Sequence, residues 1–444
     1  MDPTTPTFNL KAVVQETGIK PDTLRAWERR YGLPEPDRTG GGHRLYSQRN
    51  IDTLHWLLAR QEEGLSISRA VDLWRQLEGE NQDPLSSPEY GLAESDSPQP
   101  LVIGEEVAAF RQRWIEACLG FNERGADQIL AQGFALFPVE VVCLEVLQRG
   151  IREIGEGWYA GTVSVQQEHF ASALVVRKLE SLLSATPPPT RSGRILVAGT
   201  ADEEHVIGQL IFQLLLRRKG WETVYLGASV PVQRLQESLD VVRPQLVVLT
   251  AQQLYTAATL QTMAAGLTAK GIPVTYAGRI FSITPAIRQR IAGHYLGDTL
   301  RQAVERVESL MHALSALPQV SPISAEYQAS RIHFQSKSTA IQARMMIKMD
   351  RGDMQPSHLE MAGLNLTRSI HAALQLGDMG LMGGEMEWIQ GLLHNFAVPE
   401  EFLNRFVLAY RDAAHDLLSA EGQPVLRWLD EICDTIASQE KMIE

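Results

Sequence analysis

The sequence predicts a multidomain chain in which one α/β unit, built on a parallel sheet, stands among all-α units. Three observations carry that reading. The chain has 444 residues, which at roughly 100–200 residues per domain supplies three or four separately cored units. Stretches poor in large aliphatics interrupt it. Between them the apolar period is helical in three segments and β-like in one.

The first interruption is EGENQDPLSSPEYGLAESDSPQP, residues 78–100, whose Pro, Ser and acidic content reads as a flexible linker. The second, ATPPPTRSG at 185–193, has three consecutive prolines that cannot continue a helix. A weaker break is ALPQVSPIS, 316–324. The segments left are 1–77, 101–184, 193–316 and 325–444. Apolar residues spaced three and four apart, as in LHWLLARQEEGLSISRAVDLWRQL and FVLAYRDAAHDLL, make the first, second and fourth helical. The third alternates RILVAGT, ETVYLGA, QLVVLTA, IPVTYAG and HYLG with helical stretches such as HVIGQLIFQLLLRRKG. That order specifies a parallel βαβ sheet of about five strands.

Composition narrows the function classes. A chain with 44% hydrophobic and 21% charged residues is globular rather than disordered. Cys118, Cys143 and Cys433 are far apart and in no metal-ligand spacing, so neither a disulfide framework nor a zinc site is expected. MDPTTPTFNL lacks the order of a signal peptide and no apolar run spans a bilayer, so the chain reads as cytoplasmic, with no membrane role. Lys+Arg of 41 against Asp+Glu of 53 gives −12, which allows nucleic-acid binding only through a local basic module.

Such a module lies at the amino end. FNLKAVVQETGIKPDTLRAWERRY, 8–31, reads as a helix ending near Gly18, a tight turn, and a second helix with Pro21 in its first turn, a helix-turn-helix. Residues 20–49 hold seven basic and four acidic side chains. Thr23, Arg25 and Arg29 are placed to reach base edges or phosphates, while RTGGGHRLYS forms a glycine-hinged wing whose Arg44 and Tyr46 grip the backbone. TLRAWERRYGLPEPDRTGGGHRLYSQRNIDTLHWL closely resembles the winged-helix domain of the MerR family, particularly its light-responsive CarH/LitR branch. The resemblance implies double-stranded operator DNA as partner and a homo-oligomer, dimer or tetramer. No long helix obviously follows Leu77 to form a dimer coil, so assembly falls to the later domains.

In the α/β segment the strand RILVAGT runs directly into Ala201-Asp202-Glu203-Glu204-His205-Val206-Ile207-Gly208. Open parallel sheets bind ligands at the carboxyl ends of their strands. His205 offers an imidazole suited to a transition metal, Glu203 can orient its second nitrogen, and Gly208 lets a bulky group approach the helix. With Thr250-Ala251-Gln252 and Ala277-Gly278 ending later strands, the pattern resembles the flavodoxin-like, Rossmann-like cobalamin-binding fold. That resemblance implies His205 as lower axial cobalt ligand in place of dimethylbenzimidazole, with Thr250 and Gly278 lining the slot of the nucleotide tail. Gln252 stands where an aliphatic is usual and Ala277 replaces a glycine, so the slot is expected to be reshaped.

The segment 101–184 resembles the four-helix cobalamin cap of methionine synthase and of the photoreceptors. Trp158, nine residues, then Glu168-His169 is the photoreceptor signature around the adenosyl group. It implies adenosylcobalamin, with Trp158 on the upper ligand and Glu168 and His169 hydrogen-bonding its sugar or base. Where the photoreceptors have a cobalt-capturing histidine after the Trp, this chain has Tyr159, so the light state is water-ligated, bound by another His, or reversible.

Residues 325–444 carry His333, His358, His371, His394 and His415, with Met345, Met346, Met349 and Met354, which in a helical segment read first as core. HAALQLGDMGLMGGEMEWIQGLLHNFAVPEEFLNRFVLAYRDAAHDLL is similar to the globin-like phycobiliprotein fold, and the arrangement resembles the photocobilin family. Cys433 lies far from the attachment helix, which leaves a noncovalent bilin such as biliverdin, with Arg331, Lys337, Arg344 and Arg351 available to its propionates.

The expectation is a transcriptional regulator, not an enzyme, in which cofactor photochemistry controls oligomerisation and DNA affinity. The competing readings are a dual cobalamin/bilin photoreceptor, a corrinoid methyl carrier, which the fused DNA-binding segment opposes, and a light-independent sensor of cobalamin abundance.

Overall fold

A computed structural model of the chain describes residues 5–17, 19, 21–38, 44–62, 67–79, 84, 101–233, 235–313, 316–349, 356–383 and 400–443. The linker 78–100 falls almost wholly outside these, as do the wing tip 39–43, Arg351, Met354 and His394. The chain divides into two units: residues 1–113 with 127–146, and residues 114–126 with 147–444.

In the first unit, β1 (Phe8–Asn9), α1 (Leu10–Thr17), α2 (Pro21–Tyr31), β2 (Asp37–Arg38), β3 (Arg44–Tyr46), α3 (Gln48–Glu62) and α4 (Ile67–Gly79) form a winged helix-turn-helix. Its sheet is antiparallel in the order β1-β3-β2. The Asn9 side chain accepts the Ala12 N–H at 2.9 Å and so caps α1. Ser47 and Asn50 exchange side-chain bonds with each other's backbone N–H at 3.2 and 3.0 Å, which starts α3. Val13, Leu24, Trp27, Leu54, Leu57 and Trp74 are buried together, with Trp56 edge-on to Trp74 at 5.2 Å.

Segment 101–184 folds as helices: α5 (Leu101–Leu119), α6 (Glu123–Leu136), a short α7 (Val139–Val141) passing through a π-helical turn (Val142–Gln148) into α8 (Arg149–Tyr159), and α9 (Val165–Ser184). Within the second unit, Gln167 donates to the Leu119 carbonyl at 2.8 Å and Arg177 pairs with Glu123 at 2.6 Å, which fixes α9 against the end of α5 and the start of α6.

The α/β part of the second unit comprises β4 (Arg194–Gly199), α10 (Ile207–Arg218), β5 (Glu222–Tyr225), α11 (Leu235–Val242), β6 (Leu246–Thr250), α12 (Leu254–Thr268), β7 (Val274–Ala277), α13 (Arg279–Ile283), β8 (His294–Tyr295) and α14 (Leu300–His312). Every strand pair is parallel, in the order β5-β4-β6-β7-β8. The strand order reverses between β4 and β6, the switch point at which such sheets bind ligands.

The carboxy-terminal helices α15 (Ala325–Lys348), α16 (Pro356–Leu376), α17 (Glu400–Leu417) and α18 (Gln423–Ile443) are not a separately cored unit. One hydrophobic core runs from Leu196 and Leu249 through Leu260 and Met263 to Leu366, Phe406 and Leu429. The cause is α12, LYTAATLQTMAAGLT, whose Leu254, Ala257, Leu260, Met263, Ala264 and Leu267 join that core while Thr262, Ala265 and Gly266 stay exposed. Gln375 fastens α16 to it by donating to the Ala258 carbonyl at 2.6 Å and to the Thr262 hydroxyl at 2.9 Å.

Candidate functional site

The loop between β4 and α10 carries the site. Glu203 is fully buried, and a buried carboxylate persists only if its oxygens are hydrogen-bonded. Its Oε1 accepts the His205 backbone N–H at 2.9 Å and the His205 ring Nδ1–H at 2.6 Å. Its Oε2 accepts the Gln252 N–H at 2.6 Å and the Thr256 hydroxyl at 2.9 Å. Burial by itself pushes the Glu203 carboxyl up, but the His205 hydrogen bond and charge, with the backbone donors, hold it below the usual carboxylate range. The Glu203 hydrogen bond raises the His205 pKa against the effect of burial; Glu168 adds to this and Arg279 opposes it.

Nδ1 of His205 is thus spent on Glu203, while the side chain is 58% exposed. The ring nitrogen left to bind a metal is Nε2, the tautomer being set by the carboxylate. Among the described residues no group of three or more His, Cys, Asp or Glu gathers to hold a metal ion. A metal at His205 would therefore bring its other ligands with it.

Gln252, the departure from the usual aliphatic, has its own work: its Oε1 accepts the Arg279 N–H at 2.8 Å and ties the end of β6 to the start of α13. Gly278 has φ +141°, and a Cβ there would lie 1.7 Å from the Ala251 carbonyl oxygen, so only glycine fits. A Cβ at Gly208 would meet nothing within 4 Å, which leaves open space beside His205. The Thr250 hydroxyl is buried without a hydrogen-bond partner.

In the cap, Ser164 and Gln167 form a capping box at the start of α9, placing Glu168 in its first turn. Glu168 accepts from the Ser172 hydroxyl at 2.7 Å and pairs with His169 Nδ1 at 2.6 Å. His169 is 75% exposed, Trp158 is half-buried at the end of α8, and Tyr159 beside it is exposed. The structure brings Glu168 within electrostatic reach of His205.

On the winged helix, Thr23, Arg25 and Arg29 are exposed on α2. Tyr46 corrects the expectation of a backbone grip. Its ring is fully buried and its hydroxyl donates to Glu28 Oε1 at 2.6 Å, so it anchors the wing to α2 and has no surface to offer a phosphate. Arg44 Nε lies 2.7 Å from the other oxygen of Glu28 and keeps part of its side chain exposed.

The carboxy-terminal residues mostly serve packing. Met345 and Met349 are core, His415 pairs with Asp430 at 2.9 Å, and His333 Nε2 accepts the Ser419 N–H at 3.0 Å. Arg344 is held by Asp416 at 2.8 Å, and Cys433 is buried.

Sequence reasoning missed Gln252 and Thr256 as partners of Glu203. Thr256 sits at the third position of α12 after the capping Gln253, a pattern that marks a helix start without revealing the buried carboxylate above it.

Residues 8–77 match the family of MerR HTH regulatory proteins, and residues 111–183 match a B12 binding domain. The class is therefore a DNA-binding regulator that carries a cobalamin domain. The chain is 30% identical over 292 residues to the HTH-type transcriptional repressor CarH of Myxococcus xanthus, covering 65% of this chain and 94% of that protein. It is 31% identical over 247 residues to the repressor CarA of the same organism, covering 55% and 76%. The solved Methanosarcina barkeri monomethylamine corrinoid protein is similar over 47% of this chain and 100% of that one, at 15% identity and a TM-score of 0.40. The chain belongs to the CarH-like family of MerR-type, cobalamin-linked transcriptional regulators, and is a regulator rather than an enzyme. Among the described residues no helix is long and apolar enough to cross a membrane.

The residues present fit a corrinoid. A half-exposed imidazole of fixed tautomer, open space at Gly208 and an orphaned buried hydroxyl at Thr250 are what a macrocycle with a tail requires.

Proposed function

We propose that the chain is a light-responsive transcriptional regulator that binds operator DNA as a homo-oligomer and holds adenosylcobalamin between its helical cap and its sheet domain. The observation that carries this reading is the His205 ring, locked at Nδ1 by a fully buried Glu203 with its other nitrogen left to a metal. When bound, the cofactor supplies a carbon–cobalt bond that light can break.

The chain's own residues do the rest. His205 ligates cobalt through Nε2 and Glu203 keeps the ring oriented. Thr250 and Gly278 line the slot of the tail. Trp158 would hold the adenosyl group by packing, and Glu168 and His169 would hold it by hydrogen bonds. Because Trp158 lies in the cap, its packing would differ between the loaded and the unloaded chain, and that difference would set the oligomer and its DNA affinity. The change needed is modest, since a hundredfold shift in affinity is about 2.7 kcal/mol. Thr23, Arg25 and Arg29 face the DNA, with Arg44 at the wing.

A noncovalent bilin in the carboxy-terminal helices is the second reading. Its support is Arg331, exposed on α15 and close enough to His371 to act on its charge. Protein reconstituted with adenosylcobalamin is followed by absorption and size-exclusion before and after green, then red, light. A spectrum and an oligomer size that change together with green light are the expected result, and a red-absorbing band adds the bilin. A bound but light-inert cofactor makes the chain a sensor of cobalamin abundance instead.

A further inference from the structure

Arg368, on α16 among the carboxy-terminal helices, reaches the loop that presents His205. Its Nη2 lies 3.5 Å from Asp202 Oδ1, and its guanidinium stands over the Tyr255 ring, 4.6 Å from the centroid. Both contacts lead to Glu203. Asp202 precedes it in the loop, and Tyr255 precedes Thr256, whose hydroxyl donates to Glu203 Oε2 at 2.9 Å. About two turns further along α16, Gln375 donates to the Ala258 carbonyl at 2.6 Å, so the helix from which Arg368 extends is fixed to α12. A planar guanidinium can lie on a ring and meet a carboxylate at its edge at the same time, a combination that a lysine does not reproduce.

The loop needs such an anchor. Asp202 has φ +67° and Ser229, in the loop after β5, has φ +49°, left-handed backbone that residues other than glycine keep only where their surroundings hold it. From inside, the Asp202 N–H donates to Ser229 Oγ at 3.0 Å, and the Ser229 N–H donates to the Glu203 carbonyl at 2.9 Å. From outside, the Asp202 side chain is 58% exposed and meets Arg368. A group that fixes a metal ligand from behind sets affinity without touching the metal. We infer that Arg368 is a positioning residue of the corrinoid site, by which the carboxy-terminal helices hold the loop in the shape that aims His205 Nε2 at cobalt. The inference rests on the reading that His205 ligates cobalt.

The test compares the full wild-type chain with Arg368→Gln, with Arg368→Lys, with Asp202→Asn, which tolerates the same backbone, and with the double variant Arg368→Gln/Asp202→Asn. Hydrogen exchange of the cofactor-free chain reads local opening at the bonded Asp202, Glu203 and His205 amides. Titration with cob(II)inamide, which has no nucleotide base of its own, reads ligation, because any axial nitrogen splitting in its electron paramagnetic resonance signal then comes from the protein. Arg368→Gln is expected to speed exchange at these amides and to weaken nitrogen-split binding by about two- to fivefold each, the scale of an exposed ion pair, with the amides of β7 unchanged. Arg368→Lys falls between it and wild type. Asp202→Asn has the effect of Arg368→Gln, and the double variant is no worse than either, as for one shared contact. Exchange and binding equal to wild type in both single variants overturn the inference, and so do losses that add in the double variant. Faster exchange with nitrogen-split binding unchanged makes the contact structural only and overturns it too. A wild-type chain that gives no nitrogen splitting overturns the ligation reading, and this inference with it; exchange that still rises in the variants tells that failure apart from a failure of the ion pair.

Discussion

Glu203 Oε1 takes two hydrogen bonds from one residue, the backbone N–H and the ring Nδ1–H of His205, at 2.9 and 2.6 Å. Loop and ring are thus fixed by one oxygen, while the other is fixed by Gln252 and Thr256 from the next strand and helix. A carboxylate behind a ligating histidine sets its tautomer and basicity, and losing it typically weakens metal affinity about 10–100-fold. Glu203→Gln should weaken cobalamin retention by that order in a desalting assay. Retention equal to wild type would show that the pair does not serve ligation.

Tyr46 should behave as a core residue. Its hydroxyl meets the charged Glu28, and a hydrogen bond to a charged group contributes about 1.5–3 kcal/mol. Tyr46→Phe should lower the thermal stability of the amino-terminal unit measurably, with the ring's own packing kept. Unchanged melting would show that the hydrogen bond to Glu28 contributes nothing to the stability of the unit.

Arg29 is exposed on α2 and should act only on DNA. Arg29→Ala removes one cation from the phosphate backbone, which weakens binding and lowers the salt slope by about one. Operator titrations at several salt concentrations read both, and the cobalamin spectrum should not move.

His371 makes stability depend on pH. Burial, helped by Arg331, lowers its pKa from the ordinary 6.5, and its ring lies edge-on to Phe334 at 4.8 Å. The folded chain then binds fewer protons at this group than the unfolded chain. Its contribution is complete above pH 6.5 and is lost as pH falls through the lowered folded value. His371→Gln should flatten the melting-temperature profile below that pH, and a profile identical to wild type would exclude the group.

Much of the architecture is legible in the residues alone. The strand RILVAGT, the break at ATPPPTRSG and the turn before Pro21 are local signals, and local signals survive folding. His205 and Glu203 are legible for the same reason, two residues apart on one loop. Gln252 and Thr256 are not, because their meaning lies in a buried carboxylate on a loop 49 and 53 residues away along the chain. Tyr46 misleads because an aromatic hydroxyl suits a surface as well as a core, and what decides is Glu28, on a different element. The shared core of the carboxy-terminal helices turns on α12, which α16 joins through Gln375, 117 residues along the chain from Ala258, a separation that no local pattern marks.

The most direct test of the central claim is operator affinity of the adenosylcobalamin-loaded chain, titrated at one salt concentration in the dark and again after green light. The account predicts affinities that differ by at least about tenfold, or 1.4 kcal/mol, together with a change in oligomer size. Equal affinities in dark and light, with the cofactor still bound and its spectrum changed, would contradict it.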